Sequence, residues 1–440
     1  MVRWITAQHE RYGEAVRVAP DEVSFISGET AWQQIYGFHA GKQKSLQFLK
    51  DPVWFGYSEE SKLSIGSALP EDHTRMRRSM SHAFSDRAIR QQLPLILEYI
   101  GSLIDGLREQ ARSESNIVDL ERWYSWTNFD LTGHLTFGES FGCLSKRADN
   151  NFNRIVSKLD SAATHLVASN YFTITKWFPS WIFPQSMIEL MNLRHEVLKH
   201  MQDLVRRRLD REVTQPDFMT EIAKDRGENG LSFPEMEMNS LFLMVAGAET
   251  PSTALAATTY LLLKNPDKLE KLRSEVRDTF GNTSVNDLDK LVGLPYLNAV
   301  INEGLRFFPP IPTGLPRVVP PGGATISGRY IPQGTAVYMS QYPANHSSRN
   351  FTNPNAFVPE RWLGGHAYAN DKREVVKPFA YGPRNCVGMN LALAQMRLIL
   401  AKMTLAFDLE LVHPERDWLD QKSFTVWEKN PLTVRVSEAK

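Results

Sequence analysis

Apolar residues in this chain recur mostly at helical spacing. Leu93, Leu97, Ile100, Ile104 and Leu107 fall on one helical face, and Ser85 stands where an N-cap belongs, so a long helix is expected there. Met76, Met80 and Phe84 form another such stripe, in "EDHTRMRRSMSHAF". From Leu241 to Leu263 the chain is apolar on every side, and Ser232 with Glu235 in "SFPE" has the spacing of a capping box at the start of that helix. A further apolar-rich helix is expected in "CVGMNLALAQMRLILAKMTLAF". Alternation is confined to short stretches. "AVRVAPDEVSFIS" reads as a hairpin about Pro20 and Asp21, and "GGATISGRYIPQGTAVYMS" after Pro321 as another. Between them, "FFPPIPTGLPRVVPPGG" carries six prolines, which force an extended path. The pattern predicts a mainly α protein with a small β region, its strands too few to carry the core.

The Leu241–Leu263 segment is long enough for a bilayer, which takes about 20 residues. It also carries Glu249, Pro251 and five Ser or Thr hydroxyls, and a charge at mid-membrane is costly. A helix buried in a large core is the expected state. The 440 residues contain no repeat, low-complexity tract or long Gly/Ser linker, so residues 1–440 are expected to form one unit. Lys plus Arg and Asp plus Glu both number 50, which gives no reason to expect nucleic acid as a partner. The two cysteines, Cys143 and Cys386, make no disulfide framework, and an intracellular or cytosol-facing protein is expected. "MVRWITAQHERYG" has neither an apolar core nor a cleavage site, so it reads as neither signal peptide nor anchor.

Of the two cysteines, Cys143 in "FGCLS" reads as a small buried hydrophobe. Cys386 differs, because an apolar helix follows it directly and free N–H groups at a helix start favour a thiolate. No second Cys or His lies nearby at zinc-like spacing. A single thiolate suits haem iron, whose in-plane ligands come from the porphyrin. Gly382 and Gly388 then allow backbone to approach a flat macrocycle, Phe379 shields the sulfur, and Arg384 pairs with a propionate.

"FAYGPRNCVG", residues 379–388, resembles the haem-binding loop of the cytochrome P-450 family at all five fixed positions of F-x-x-G-x-R-x-C-x-G. "EGLR" at Glu303–Arg306 is similar to that family's E-x-x-R helix, "FVPERW" at 357–362 to its P-E-R segment, and "AGAET" at 246–250 to its oxygen-binding groove. Order and spacing agree along the whole chain. Within the family, "KDPVWFG", "HAFSDRA", "PTGLPRVVPPGGA" and "PERWLG" look most like fungal isotrichodermin-hydroxylase-type enzymes of secondary metabolism. The resemblance implies a cytochrome P-450 fold built as a single haem-containing unit, with Cys386 as the axial ligand.

By spacing alone, Glu303 and Arg306 could be an ordinary exposed ion pair. With Arg361 of "PERW", the resemblance implies a buried structural triad instead. His73 and Arg77 share a helix face, which could be merely solvated; the resemblance makes them, with Arg317 and Arg384, propionate partners. His73 stands where many relatives have tryptophan. Arg75 and Arg78 point elsewhere on the same helix and are expected to offer a positive face to a reductase. Ala246 and Gly247 are expected to border the oxygen groove, Thr250 to donate a hydrogen bond there, and Glu249 to relay protons. The alternative for Thr250 is a bond to a carbonyl one turn back, and for Glu249 a buried ion pair.

The implied activity is a haem-thiolate monooxygenase that inserts one oxygen atom of O₂ into a C–H bond. Since "GGATISG" is a weak match to any nucleotide-binding loop, electrons are expected from a separate NADPH-cytochrome P-450 reductase. Phe242, Val245 and Leu315, with the aromatic run from Asn170 to Pro184, suggest a lipophilic terpenoid or polyketide-like substrate, although they could equally be core. Two other readings stand beside this one, a haem-thiolate isomerase or dehydratase and a non-catalytic haem sensor; the Glu249–Thr250 pair argues against both. A longer, anchored form is expected on the cytosolic face of the endoplasmic reticulum membrane, with this chain making at most peripheral membrane contact.

Overall fold

The computed structural model describes residues 1–38, 47–55, 63–154, 171, 185–211, 217–224, 230–281 and 283–439. In chain order the longer helices are α1 (Val2–Tyr12), α2 (Gly28–Tyr36), α3 (Pro70–Ser81), α4 (Asp86–Ala111), α5 (Leu120–Phe137), α6 (Gln185–Asp210), α7 (Phe233–Lys264), α8 (Pro266–Phe280), α9 (Pro295–Phe307) and α10 (Met389–Ala406). The chain forms two compact units. The first comprises Met1–Lys50, Ile100–Tyr124 and Thr250–Lys440, and the second Asp51–Tyr99 and Ser125–Glu249.

Every described strand belongs to the first unit. A five-stranded sheet has the order β1 (Ala15–Ala19), β2 (Glu22–Phe25), β8 (Ala336–Met339), β5 (Arg317–Val318), β3 (Leu49–Lys50). β1 and β2 are the expected hairpin, with Ala15 opposite Phe25. The second expected hairpin is β6 (Ala324–Ile326) with β7 (Arg329–Ile331), after which the chain turns back as β8, parallel to β2 and antiparallel to β5. All four residues of β8 are buried, as a central strand covered on both faces requires. Phe25, Trp32, Ile35, Val337 and Met339 pack against this sheet in one apolar cluster. A smaller sheet joins β4 (Ile117–Asp119), β10 (Thr433–Glu438) and β9 (Phe407–Leu411).

The described part of the second unit is helical. The stripe on α3 faces inward as expected: Met76 and Met80 are fully buried, and the Phe84 ring lies 4.3 Å from that of Phe218. Ser85 caps α4, its Oγ accepting from Ala88 N at 3.3 Å. The buried face of α4 is offset from the expected one. Ile96, Ile100, Leu103 and Leu107 are fully buried, while Leu93 and Leu97 lie at its margin. At the start of α7, Glu235 Oε2 accepts from Ser232 N at 2.7 Å, which is half of a capping box; the Ser232 hydroxyl donates to the same carboxylate at 3.0 Å. α7 runs unbroken through Pro251. Among the described residues no helix is long and apolar enough to cross a membrane.

Candidate active site

In the first unit, the loop before α10 is held by its own backbone and by α2. Ala380 at φ 59° and Gly382 at φ 77° turn the chain left-handed, and Gly382–Arg384 form a 3-10 turn. Cys386 N then donates to Phe379 O at 2.8 Å, and Gly388 is the N-cap of α10. Cys386 therefore stands two residues ahead of the cap, and its side chain is exposed. Cys143 is the opposite case: it is fully buried, and burial pushes its thiol up to about 11. Gly382 has a packing reason beyond any ligand. A Cβ there would lie 1.8 Å from Tyr36 O at the end of α2. From the same helix Trp32 Nε1 donates to Val375 O at 2.9 Å, and Gln33 Oε1 accepts from Tyr381 at 2.6 Å.

Cations gather beside this loop. Arg317 on β5 is buried, with its guanidinium 5.5 Å from the Tyr36 ring. Lys50 on β3 is paired directly opposite Arg317. Burial, then the charges of Arg317 and Arg384, hold the Lys50 ammonium well below the usual lysine range. Among the described residues, Nε of Arg317 and one terminal nitrogen of Arg384 are buried with no hydrogen-bond acceptor, although each side chain has other interactions. A haem would bring two carboxylates, so the donor set fits that cofactor. Lys50 is absent from the sequence reading because a two-residue strand has no periodicity, and its pairing with Arg317 is a long-range fact.

The E-x-x-R pair is not an exposed ion pair. Glu303, Arg306 and Arg361 are all fully buried. Arg306 grips Glu303 with two hydrogen bonds, at 2.9 and 2.8 Å, and donates to the carbonyls of Asn345, Pro354 and Ala356. Arg361 Nε donates to Glu303 at 3.1 Å, and Trp362 Nε1 at 2.9 Å. A fourth charge, which the sequence reading missed, completes the set: Asp371 pairs with Arg361.

In the second unit, α3 places His73, which is buried, and Arg77, which is half-buried, on one face. Arg75 does not offer a free positive charge. It is held by both oxygens of Glu235 and by Asp72, because it lies over the start of α7; Arg78 is exposed as expected. On α7, Ala246 and Gly247 are half-buried, Glu249 is buried, and Thr250, the first residue of the other unit on that helix, is half-buried. Gly247 also has a packing role: a Cβ would stand 2.9 Å from Thr132 Cγ2 of α5. Phe242 is exposed, its ring filling the space where a Cβ on Gly66 would be, 2.6 Å away. Leu315 packs on the apolar cluster of the first unit. The aromatic run 170–184 lies outside the described residues except for Tyr171, which is exposed. The structure thus brings Cys386, Phe379, Gly382, Arg384, Gly388 and Arg317 together in the first unit, and His73 with Arg77 on one helix of the second.

Comparison with known proteins accounts for these features together. The family pattern described as Cytochrome P450 matches residues 3–435. The cytochrome P450 monooxygenase traB of Penicillium crustosum is 44% identical over 438 residues, covering 98% of this chain and 86% of its own. The cytochrome P450 monooxygenase lcsI of Purpureocillium lilacinum is 42% identical, covering 99% and 84%. The cytochrome P450 monooxygenase astJ of Aspergillus oryzae is 41% identical, covering 97% and 85%. The chain belongs to the cytochrome P450 family, O₂-dependent oxidoreductases whose cofactor is a thiolate-ligated haem.

Proposed function

We propose that this enzyme inserts one oxygen atom of O₂ into a C–H bond of a lipophilic secondary metabolite of terpenoid or polyketide kind, with electrons from an NADPH-dependent cytochrome P450 reductase and residues 1–440 acting as one catalytic domain. The observation that carries this reading is the Cys386 loop, which sets an exposed thiol ahead of α10 with Arg384 and Arg317 gathered beside it. The bound haem supplies the activation of O₂. Cys386 holds the cofactor as thiolate, and Phe379 shields the sulfur. Gly382 and Gly388 keep the loop backbone close, while Arg384 and Arg317 take carboxylates, as do His73 and Arg77 by the family resemblance. At Ala246 and Gly247 the α7 backbone borders the oxygen groove, where Thr250 holds a proton as hydrogen-bond donor and Glu249 relays protons from solvent. The same reading places the enzyme on the cytosolic face of the endoplasmic reticulum.

The test is metabolite profiling of purified protein with reductase, NADPH and ¹⁸O₂. The expected result is a product carrying one labelled oxygen, formed only when reductase and NADPH are both present. Conversion of a peroxide substrate without reductase would instead establish an isomerase. In parallel, Cys386→His is expected to lose the long-wavelength ferrous–CO band, while Cys143→Ser keeps it.

A further inference from the structure

The Cys386 loop bends through a residue that resists its shape. Ala380 has φ 59°, a left-handed conformation that crowds any Cβ, so the loop keeps this path only where its surroundings hold it. Part of that hold is internal: Ala380 N donates to Lys377 O at 2.9 Å, and Cys386 N to Phe379 O at 2.8 Å. The rest comes from α2. Gln33 Oε1 accepts from the Tyr381 hydroxyl at 2.6 Å, and Tyr36 O closes on Gly382 so tightly that no Cβ fits. α2 is itself well anchored, because the Tyr36 hydroxyl donates to Leu315 O at 2.9 Å and accepts from Met339 N of β8 at 3.2 Å. The helix thus ties the five-stranded sheet to the residues that follow Ala380. Trp32 and Tyr36 are buried, whereas Gln33 is exposed, so its amide touches the loop without carrying the core. The next residue offers a contrast: Gln34 Oε1 accepts from Ser327 N at 2.8 Å, in the β6–β7 hairpin instead of the loop.

We infer that Gln33 is a positioning residue for the iron ligand: through Tyr381 it holds the Ala380–Gly382 turn in the path that presents the Cys386 thiolate to the haem. The inference rests on the reading of Cys386 as axial ligand given under the proposed function. A loop free to relax at Ala380 moves Phe379 O, the acceptor of Cys386 N, and the sulfur with it. One neutral hydrogen bond is enough to matter, since losing it should let the loop reach a relaxed, thiolate-detached state about fivefold faster.

The experiment follows decay of the long-wavelength ferrous–CO band of the holoenzyme in urea below the unfolding transition. Gln33→Leu and Tyr381→Phe are each expected to speed that decay about fivefold, and the double variant is expected to decay no faster than either alone. Gln33→Glu, which keeps an acceptor oxygen, should stay near wild type. Gln34→Leu removes a comparable bond from the same helix and should leave the decay unchanged. Unchanged decay in Gln33→Leu would overturn the inference, as would additive effects in the double variant. Equal acceleration by Gln34→Leu would also overturn it, by showing that the decay follows the stability of α2 and not the loop contact. If Cys386→His kept the band, the axial-ligand reading itself would fall, and the Gln33 assignment with it.

Discussion

Arg361 lies between two buried carboxylates, 3.1 Å from Glu303 on one side and paired with Asp371 on the other. Arg306 already matches Glu303 with two hydrogen bonds, so Asp371 is what balances the second arginine. Asp371 Oδ1 also accepts from Thr352 N at 2.7 Å, a bond that asparagine can keep. Asp371→Asn therefore isolates the charge. It should cost about 3–5 kcal/mol of unfolding free energy, the range for one partner of a buried pair. Urea unfolding checks this; a loss within about 0.5 kcal/mol, typical of a surface change, would contradict it.

Acid should weaken the protein through His346. The ring is buried against Tyr342, with Nδ1 donating to Tyr342 O at 3.0 Å; burial, then Arg306, lowers its pKa to about 3. An unfolded histidine takes up a proton near 6.5, so below that pH the unfolded chain binds a proton that the folded one refuses. Stability falls with pH from about 6.5 to about 3, and by pH 5 the loss is about 2 kcal/mol. His346→Gln removes this term. The stability difference between wild type and variant, measured at pH 7 and pH 5, should change by that amount.

Gly247 is the point where α7 approaches α5. A methyl group there meets Thr132 Cγ2 at 2.9 Å and Oγ1 at 3.0 Å, so Gly247→Ala should cost about 1–3 kcal/mol by overpacking. Removing both atoms with Thr132→Ala leaves room, and the double variant should recover most of that loss. A double-mutant cycle in urea reads the coupling directly. Additive losses would show that the two residues do not meet.

Elements whose cause is local were legible in the sequence. α3 follows from helical apolar spacing, α7 and α10 from long apolar-rich runs, and the two hairpins from alternation about turns, because each pattern is set by neighbours along the chain. The Cys386 loop was legible through its resemblance to the family's haem-binding pattern at five fixed positions. Lys50, Asp371 and the true partner of Arg75 were not. Each is defined by a residue outside its own element, ten positions away for Asp371 and far along the chain for Lys50 and Arg75, and a lone Lys or Asp in a short segment looks the same whether it faces water or a buried partner. The exposure of Phe242 was not legible either, because α7 is apolar all round and its periodicity does not say which side is exposed.

Thr250 should govern where electrons go. In α7 the N–H of residue 251 would bond the carbonyl of Gly247, but Pro251 has none, and its ring crowds that carbonyl. The helix remains continuous, so the Gly247 carbonyl is left one residue short of its donor in the turn that ends with Thr250. Under the proposed function, Thr250 is the proton donor at this turn. Thr250→Ala removes that hydroxyl and little else, because the side chain is only half-buried. Substrate binding and haem reduction should persist, while NADPH consumption shifts from product toward hydrogen peroxide; loss of a single positioned proton donor costs about 10²–10⁴ in the step it serves. Thr250→Ser, which keeps the donor, should restore coupling. Product and peroxide measured per NADPH decide the matter, and coupling unchanged in Thr250→Ala would assign the hydroxyl to the helix backbone alone.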